Sequence, residues 1–232
     1  MQNSYKRVDA HLSSLGYCSR SEAKKFLKMF RVCINDIRVF ETSKKAYHNE
    51  MTVDNEALDS ESLVILMNKP SGLVCSHDDV GALIYSLLPL RWQSRNPKIS
   101  TIGRLDKDTT GAILLTDDGA LNHKLTSPKS VVLKIYEVTL AHPLKGDEAE
   151  VFLSGTLLLK GEKNSLLPAK MEIINPTLVK LEISEGRYHQ VKRMFAALSN
   201  QVVKLHRESF GGFGVEDLNP SEYKIINLSS PE

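Results

Sequence analysis

Arg104 and Asp106 stand two residues apart inside Gly103-Arg104-Leu105-Asp106-Lys107-Asp108-Thr109-Thr110-Gly111. A carboxylate in a turn-rich segment between glycines, beside a guanidinium, is a candidate nucleophile or general base. An arginine so placed favours the ionised acid and can orient it through paired hydrogen bonds. The apolar run Ala112-Ile113-Leu114-Leu115 follows at once and predicts a buried strand, which sets the carboxylate at the mouth of a sheet.

Two further segments carry groups fit for chemistry. Lys134-Ile135-Tyr136-Glu137-Val138-Thr139-Leu140 alternates as a half-buried strand, with Tyr136 on the face of Lys134, Val138 and Leu140. On spacing alone Tyr136 is a core residue, yet its ring is also suited to stacking on any base. Val179 to Ile183 predicts another strand, broken at Glu185-Gly186. His189 to Leu198 then predicts a helix with Val191, Met194, Phe195 and Leu198 inward. Arg187, His189, Gln190, Lys192 and Arg193 crowd its start, which by itself reads as a basic exposed face.

The combination resembles the RNA pseudouridine synthases of the small ribosomal subunit type. Gly-Arg-Leu-Asp-x-x-Thr-x-Gly matches their catalytic signature, and the resemblance makes Asp106 the residue the isomerisation cannot lose. Asn68-Lys69-Pro70-Ser71-Gly72, after the strand expected at Leu63–Met67, resembles a first shared motif that shapes the cleft. Gly186-Arg187-Tyr188-His189-Gln190-Val191-Lys192-Arg193-Met194 resembles a third motif and puts Lys192 at its basic position, with Arg193 the runner-up. The Tyr-His-Gln-Val-Lys-Arg-Met wording, Leu205-His206-Arg207-Glu208 and Gly211-Gly212 are similar to the enzymes acting on 16S rRNA more than to their large-subunit relatives. The resemblance implies that Tyr136 stacks on the target base and helps remove its C5 proton. It implies that Arg104 orients Asp106, and that Lys192 lies near the Asp106 carboxylate. Ala112 stands where the family commonly has leucine.

Stepping outward, the charge is uneven along the chain. Residues 1–45 hold ten Lys and Arg against four acids, residues 46–62 hold five acids and no Lys or Arg, and the remainder is nearly balanced, for a net +2. This predicts a basic head that touches a polyanion, an acidic stretch with one strand of the head near Met51-Thr52-Val53 and the remainder a tether, and a body. In the head, Val8, Leu12 and Leu15 recur at helical spacing, and Gly16 sits where a C-cap glycine would. Ser19-Arg20-Ser21-Glu22 reads as a capping box before a second helix with Ala23, Phe26, Leu27 and Phe30 inward. Two short strands follow about Asn35-Asp36. Helix, basic helix and hairpin resemble the S4 RNA-binding module, which often has Asn-Gly at that turn. Arg7, Arg20, Lys24, Lys25, Lys28 and Arg31, with Lys69, Arg187, His189, Gln190 and Arg193 of the body, are the expected RNA contacts. Those in the head should track phosphates.

The expected fold is α+β: an S4-like domain with its tether over residues 1–58, then a catalytic domain over 59–232 with a mixed, largely antiparallel sheet crossed by a cleft. Composition is ordinary for a soluble protein, with 41% hydrophobic and 25% charged residues. No apolar run is long enough for a membrane span, and no apolar segment follows the N-terminus as in a signal peptide. Three cysteines without CxxC spacing argue against a zinc site and fit a cytoplasmic location. Asp106-x-Asp108-x-Thr110-Gly111 with Asp117 also approximates a calcium loop. That reading is weak, because it needs flanking helices where strands are expected. A non-catalytic ribosome-assembly factor and a large-subunit enzyme are the remaining alternatives. The expectation is a monomeric enzyme without cofactor or metal, acting on 16S rRNA or a small-subunit assembly intermediate and not at membranes.

Overall fold

The computed structural model describes residues 3–78, 80–127 and 130–227. The chain folds into two compact units, and each is discontinuous in sequence. One is drawn from Met1–Leu63, Tyr85–Ser100 and Thr116–Gly119, the other from Val64–Ile84, Thr101–Leu115 and Ala120–Glu232.

The first unit contains β1 (Tyr5–Arg7), α1 (Val8–Ser14), α2 (Ala23–Met29), β2 (Val32–Ile34), β3 (Ile37–Arg38), β4 (Lys45–Tyr47), β5 (Met51–Val53) and β6 (Glu56–Ala57). β1 pairs with β4, and the other four strands form an antiparallel sheet in the order β3-β2-β5-β6. Val8, Leu12, Leu15, Leu27, Val32 and Met51 pack into one apolar cluster, so the helical stripe read from the sequence is the core face except at Phe30, which leaves α2 in an extended conformation and is exposed. α2 starts later than the capping box suggested. The Ser19 backbone N–H and hydroxyl both donate to the Glu22 carboxylate, at 3.1 and 2.5 Å, which leaves residues 20–22 in a turn. Asn35 and Asp36 both adopt positive φ, 49° and 63°, the conformation that two-residue hairpins favour for their twist.

In the acidic stretch the expected strand is β5, and the remainder expected as a tether is folded as well. Asp54 and Asn55, with φ of 52° and 70°, make a second tight hairpin between β5 and β6. Its carboxylates are engaged: Asp54 accepts the Arg31 N–H at 2.8 Å, and Asp59 accepts from Arg91 and the Trp92 indole at 2.9 Å. Those last partners lie on α3 (Leu90–Gln93), which belongs to this unit. Gly16, at φ 80°, makes room for it, since a Cβ there would lie 2.0 Å from the Arg91 carbonyl oxygen. Beyond α3, the wholly buried Arg95 donates from Nε to Asp117 Oδ2 at 2.6 Å and from Nη2 to the Ser60 and Glu61 carbonyls. Asp117, the last ligand of the calcium reading, is thus the partner of a buried arginine. It also accepts the Leu63 N–H at 2.8 Å.

The second unit holds β7 (Val64–Lys69), β8 (Ser100–Ile102), β9 (Thr110–Thr116), α4 (Gly119–Thr126), β10 (Lys134–Leu140), α5 (Glu148–Ser154), β11 (Lys170–Asn175), β12 (Leu178–Ile183), α6 (Gln190–Ala197), β13 (Val202–Phe210), β14 (Phe213–Gly214) and β15 (Tyr223–Ile225). Seven strands run in the order β11-β12-β10-β13-β9-β7-β15, with β8 on β9 and β14 on β13. β9 and β13 are parallel, while β10 is antiparallel to both its neighbours, so the expected mixed sheet is present. The parallel pair meets at Gly111 opposite Arg207. Gly111 has φ 102°, and a Cβ there would fall 2.2 Å from the Arg207 carbonyl oxygen. The signature glycine is therefore a requirement of strand approach. Leu66, Ile102, Ala112, Leu114 and Phe210 form the core beneath, with alanine filling its position tightly enough to leave no exposed surface.

Candidate active site

The loop that carries Asp106 is wrapped around an internal cation. Lys69 ends β7 with no exposed surface. Its Nζ lies within hydrogen-bond reach of four carbonyls, those of Pro70 at 3.1 Å, Asp106 at 3.2 Å, Lys107 at 3.2 Å and Thr109 at 2.9 Å. Burial pushes the Lys69 ammonium below its ordinary value, and Cys75, Asp108 and Asp106 oppose that push. Lys107 also accepts the Gly72 N–H, and Thr109 donates its N–H to the Asp106 carbonyl. Lys69 was expected both to shape the cleft and to contact RNA. An enclosed side chain offers RNA no cation, so the second expectation is corrected: Lys69 acts inside the protein.

The Asp106 carboxylate meets two cationic or potentially cationic groups. Lys192 Nζ lies 3.0 Å from Oδ2, and His189 Nε2 lies 3.2 Å from Oδ1. Lys192 also bonds both oxygens of Asp108, at 2.7 and 2.9 Å. Burial lowers the Lys192 ammonium, but the bonds to Asp108 and Asp106 outweigh it and raise the net value; the same ammonium lowers Asp108. His189 precedes α6 in the left-handed conformation, φ 47°, with its ring stacked 3.8 Å from that of Tyr188. This backbone twist turns the imidazole onto Asp106, where the sequence had suggested an RNA contact.

The start of α6 is braced from below. Gln190, nearly buried, accepts the Arg187 N–H at 2.9 Å and donates to Glu185 at 3.0 Å. Arg187 donates to Glu185 and to the Asn164 and Ser165 carbonyls. Arg193 donates to Glu162 and to the Tyr188 and Lys160 carbonyls. The two arginines expected on RNA thus tie the 160–165 loop to the helix, their forks filled by protein acceptors.

A cavity of about 860 Å³ opens onto this arrangement, within the usual range for ligand sites. Arg104, Asp106, Tyr136, Arg187, His189 and Gln190 line it, together with Lys134, Arg207 and Phe210. Tyr136 is buried on β10, and Arg207 Nη1 donates to its hydroxyl at 3.4 Å. Burial and the nearby Arg207 lower Lys134 to about 8. Tyr136 and Lys192, remote in sequence from Arg104 and Asp106, are brought together with them in this one unit. Arg7, Arg20, Lys24, Lys25, Lys28 and Arg31 lie in the first unit with exposed side chains, Arg7 being paired with Asp9 at 2.7 Å. The sequence reading missed the roles of Asp108, His189 and Arg207. Asp108 was visible as one of two nearby carboxylates, but only the distant Lys192 explains it.

A sequence model of the family described as RNA pseudouridylate synthase matches residues 63–197. The ribosomal small subunit pseudouridine synthase A of Escherichia coli (strain K12) is 50% identical over 165 residues, covering 69% of each chain. That of Vibrio cholerae is 40% identical over 229 residues, covering 95% of each. A solved structure described as a pseudouridylate synthase aligns over 97% of each chain with 42% identity and a TM-score of 0.66.

Proposed function

The chain belongs to the RNA pseudouridylate synthase family, and from that premise we propose that it isomerises one specific uridine of 16S rRNA to pseudouridine. The observation that carries this reading is the Asp106 carboxylate, fixed by Lys192 and His189 in a cavity that also holds Tyr136. Names and near-complete coverage of the small-subunit relatives support the choice of substrate over large-subunit rRNA.

The reaction breaks C1′–N1, turns the uracil, and joins C5 to C1′. Atoms and oxidation state are conserved, so the chemistry asks only for proton handling and a group that acts on the sugar. The target nucleotide leaves its stack at a cost of a few kcal/mol. Asp106 is the nucleophile or general base at the ribose. Lys192 and His189 hold its two oxygens in place, and Arg104 orients it and supports the flipped-out nucleotide. Tyr136 stacks on the base and helps move the C5 proton, which the product carries on N1. The exposed cations Arg20, Lys24, Lys25, Lys28 and Arg31 form the RNA-tracking face of an S4-like module, supplying salt-dependent affinity without sequence reading.

Incubation with unmodified 16S and 23S rRNA, each with and without ribosomal proteins, followed by carbodiimide mapping and reverse transcription, tests this reading. One new stop in 16S, absent with Asp106→Asn, is expected. A stop only in 23S transfers the assignment to the large subunit. No stop with retained binding replaces it with a ribosome-assembly role.

A further inference from the structure

Arg207 is the least accounted-for charge in the cavity. It is 2% exposed, on β13, and its position is fixed on every side. Nε donates to the Ala112 carbonyl at 2.6 Å, Nη1 reaches the Tyr136 hydroxyl at 3.4 Å, and the guanidinium carbon lies 4.9 Å from the centre of the Phe210 ring. Gly111 admits its backbone, as described above. Yet Nη2 is buried with no hydrogen-bond partner, and among the described residues no carboxylate pairs with Arg207. Leaving a buried guanidinium donor unmet costs stability, and Arg207 is one of the residues that line the cavity. Lys134 adds a second cation to the same lining, so the part of the cavity beside these two residues is favourable to an electron-rich oxygen.

We propose that Arg207 is a base-binding residue, whose Nη2 donates to the uracil carbonyl lying opposite the glycosidic atom, O4 of the bound uridine. This rests on the pseudouridine-synthase reading and extends it. The argument for O4 is geometric. C4 is diametrically opposite N1 in the ring, so O4 lies at the end of the base farthest from the sugar. Asp106, which must meet the sugar, is half-buried, whereas Arg207 is enclosed. The chemistry gives a second reason. When C5 takes the place of N1, the ring carbon opposite it becomes C2, whether the base turns in its plane or flips over. The same location therefore holds O4 in the substrate and O2 in the product. A single fixed donor there keeps hold of the uracil on both sides of the rearrangement, while the base has no covalent bond to the RNA. It also faces the charge that a departing uracil carries.

The test uses the full-length protein and rRNA substrates with uridine, 4-thiouridine or 2-thiouridine at the modified position, in single-turnover reactions. Sulfur is a poor hydrogen-bond acceptor. For the wild type, 4-thiouridine is expected to weaken binding of the flipped base and slow conversion by about tenfold. The 2-thio substrate, whose sulfur reaches the donor only after rotation, should bind normally and slow only the later step. Arg207→Lys should react slowly with all three and lose the discrimination against 4-thiouridine, because an ammonium cannot serve Ala112, Tyr136 and the base together. Equal rates for the uridine and 4-thiouridine substrates in the wild type would overturn the assignment even if the variant failed to fold. A folded Arg207→Lys that kept the full 4-thio penalty would also overturn it. Failure of the wild type on every all-oxygen substrate would instead remove the functional reading beneath it.

Discussion

Lys192 bridges Asp106 and Asp108, its ammonium 3.0 Å from one carboxylate and 2.7 Å from the other. Only one of these acids is sheltered: the Asp106 side chain is 24% exposed and that of Asp108 71%. The cation is thus held by the exposed acid and applied to the sheltered one.

Lys192→Met should lower single-turnover conversion by roughly 100- to 1000-fold, the usual cost of removing a preorganised charged donor from an active site. Asp108→Asn should cost less than about tenfold, because an exposed ion pair is worth little and Lys192 still reaches Asp106. Equal losses for the two variants would show that Asp108, too, acts on the substrate.

Lys69→Met removes the donor from four carbonyls at once. Urea denaturation should show a loss of roughly 2–4 kcal/mol. Activity should fall further than stability accounts for, since the Asp106 loop loses the centre it is wrapped around. A variant with unchanged stability would mean that the loop is held by its other hydrogen bonds.

Asp117→Ala strands the buried Arg95 charge, and a destabilisation of about 3–5 kcal/mol is expected. Since Asp117 is committed to Arg95 and the Leu63 N–H, calcium should neither raise the melting temperature nor support activity, and EDTA should change neither.

Lys134 offers a pH signature. Its folded value is about 8, against the ordinary 10.5. Between those values the unfolded chain binds the proton and the folded chain does not, so this residue makes stability rise with pH across that window. Below pH 8 both states are protonated and the burial cost is present in full. Comparing urea midpoints from pH 7 to 10 in the wild type and in Lys134→Met should reveal a steeper rise in the former, the buried Lys69 contributing equally to both. Parallel profiles would contradict the depressed value.

Replacing Lys24, Lys25 and Lys28 with glutamine should weaken rRNA binding without altering the rate at saturating RNA. If each neutralises one phosphate, the slope of log affinity against log salt should fall by roughly 2–3. An unchanged slope would put the RNA on another face.

Much of the catalytic unit was legible because its central strands are long and strongly patterned. The runs at Lys134–Leu140 and Leu178–Ile183 appear almost where alternation set them. β11 and β13 were not legible. β11 is mostly exposed, and β13 is interrupted by Lys204, Arg207 and Glu208, so neither shows a clean period. In the head, β5 was legible at Met51–Val53, but β6 is too short to alternate, and only the Asp54-Asn55 turn marks it. The site was half legible. Asp106, Tyr136 and Lys192 stand in motifs with a role, whereas the Leu205-His206-Arg207-Glu208 motif gives Arg207 none until β13 brings it beside Gly111. Lys69 stands in the cleft-shaping motif, but how it shapes the cleft shows only in its carbonyl cage.

The discontinuity of the first unit bears on how this protein can be divided. Its Arg91–Asp59 and Arg95–Asp117 pairs, and the helix that Gly16 admits, are supplied from far down the chain. A gene fragment ending near residue 58 would encode the basic helix and both hairpins, but not the arginines that close their underside. The head is therefore poor material for transplantation: grafted alone onto another enzyme, it would carry its exposed cations and leave behind part of its own foundation.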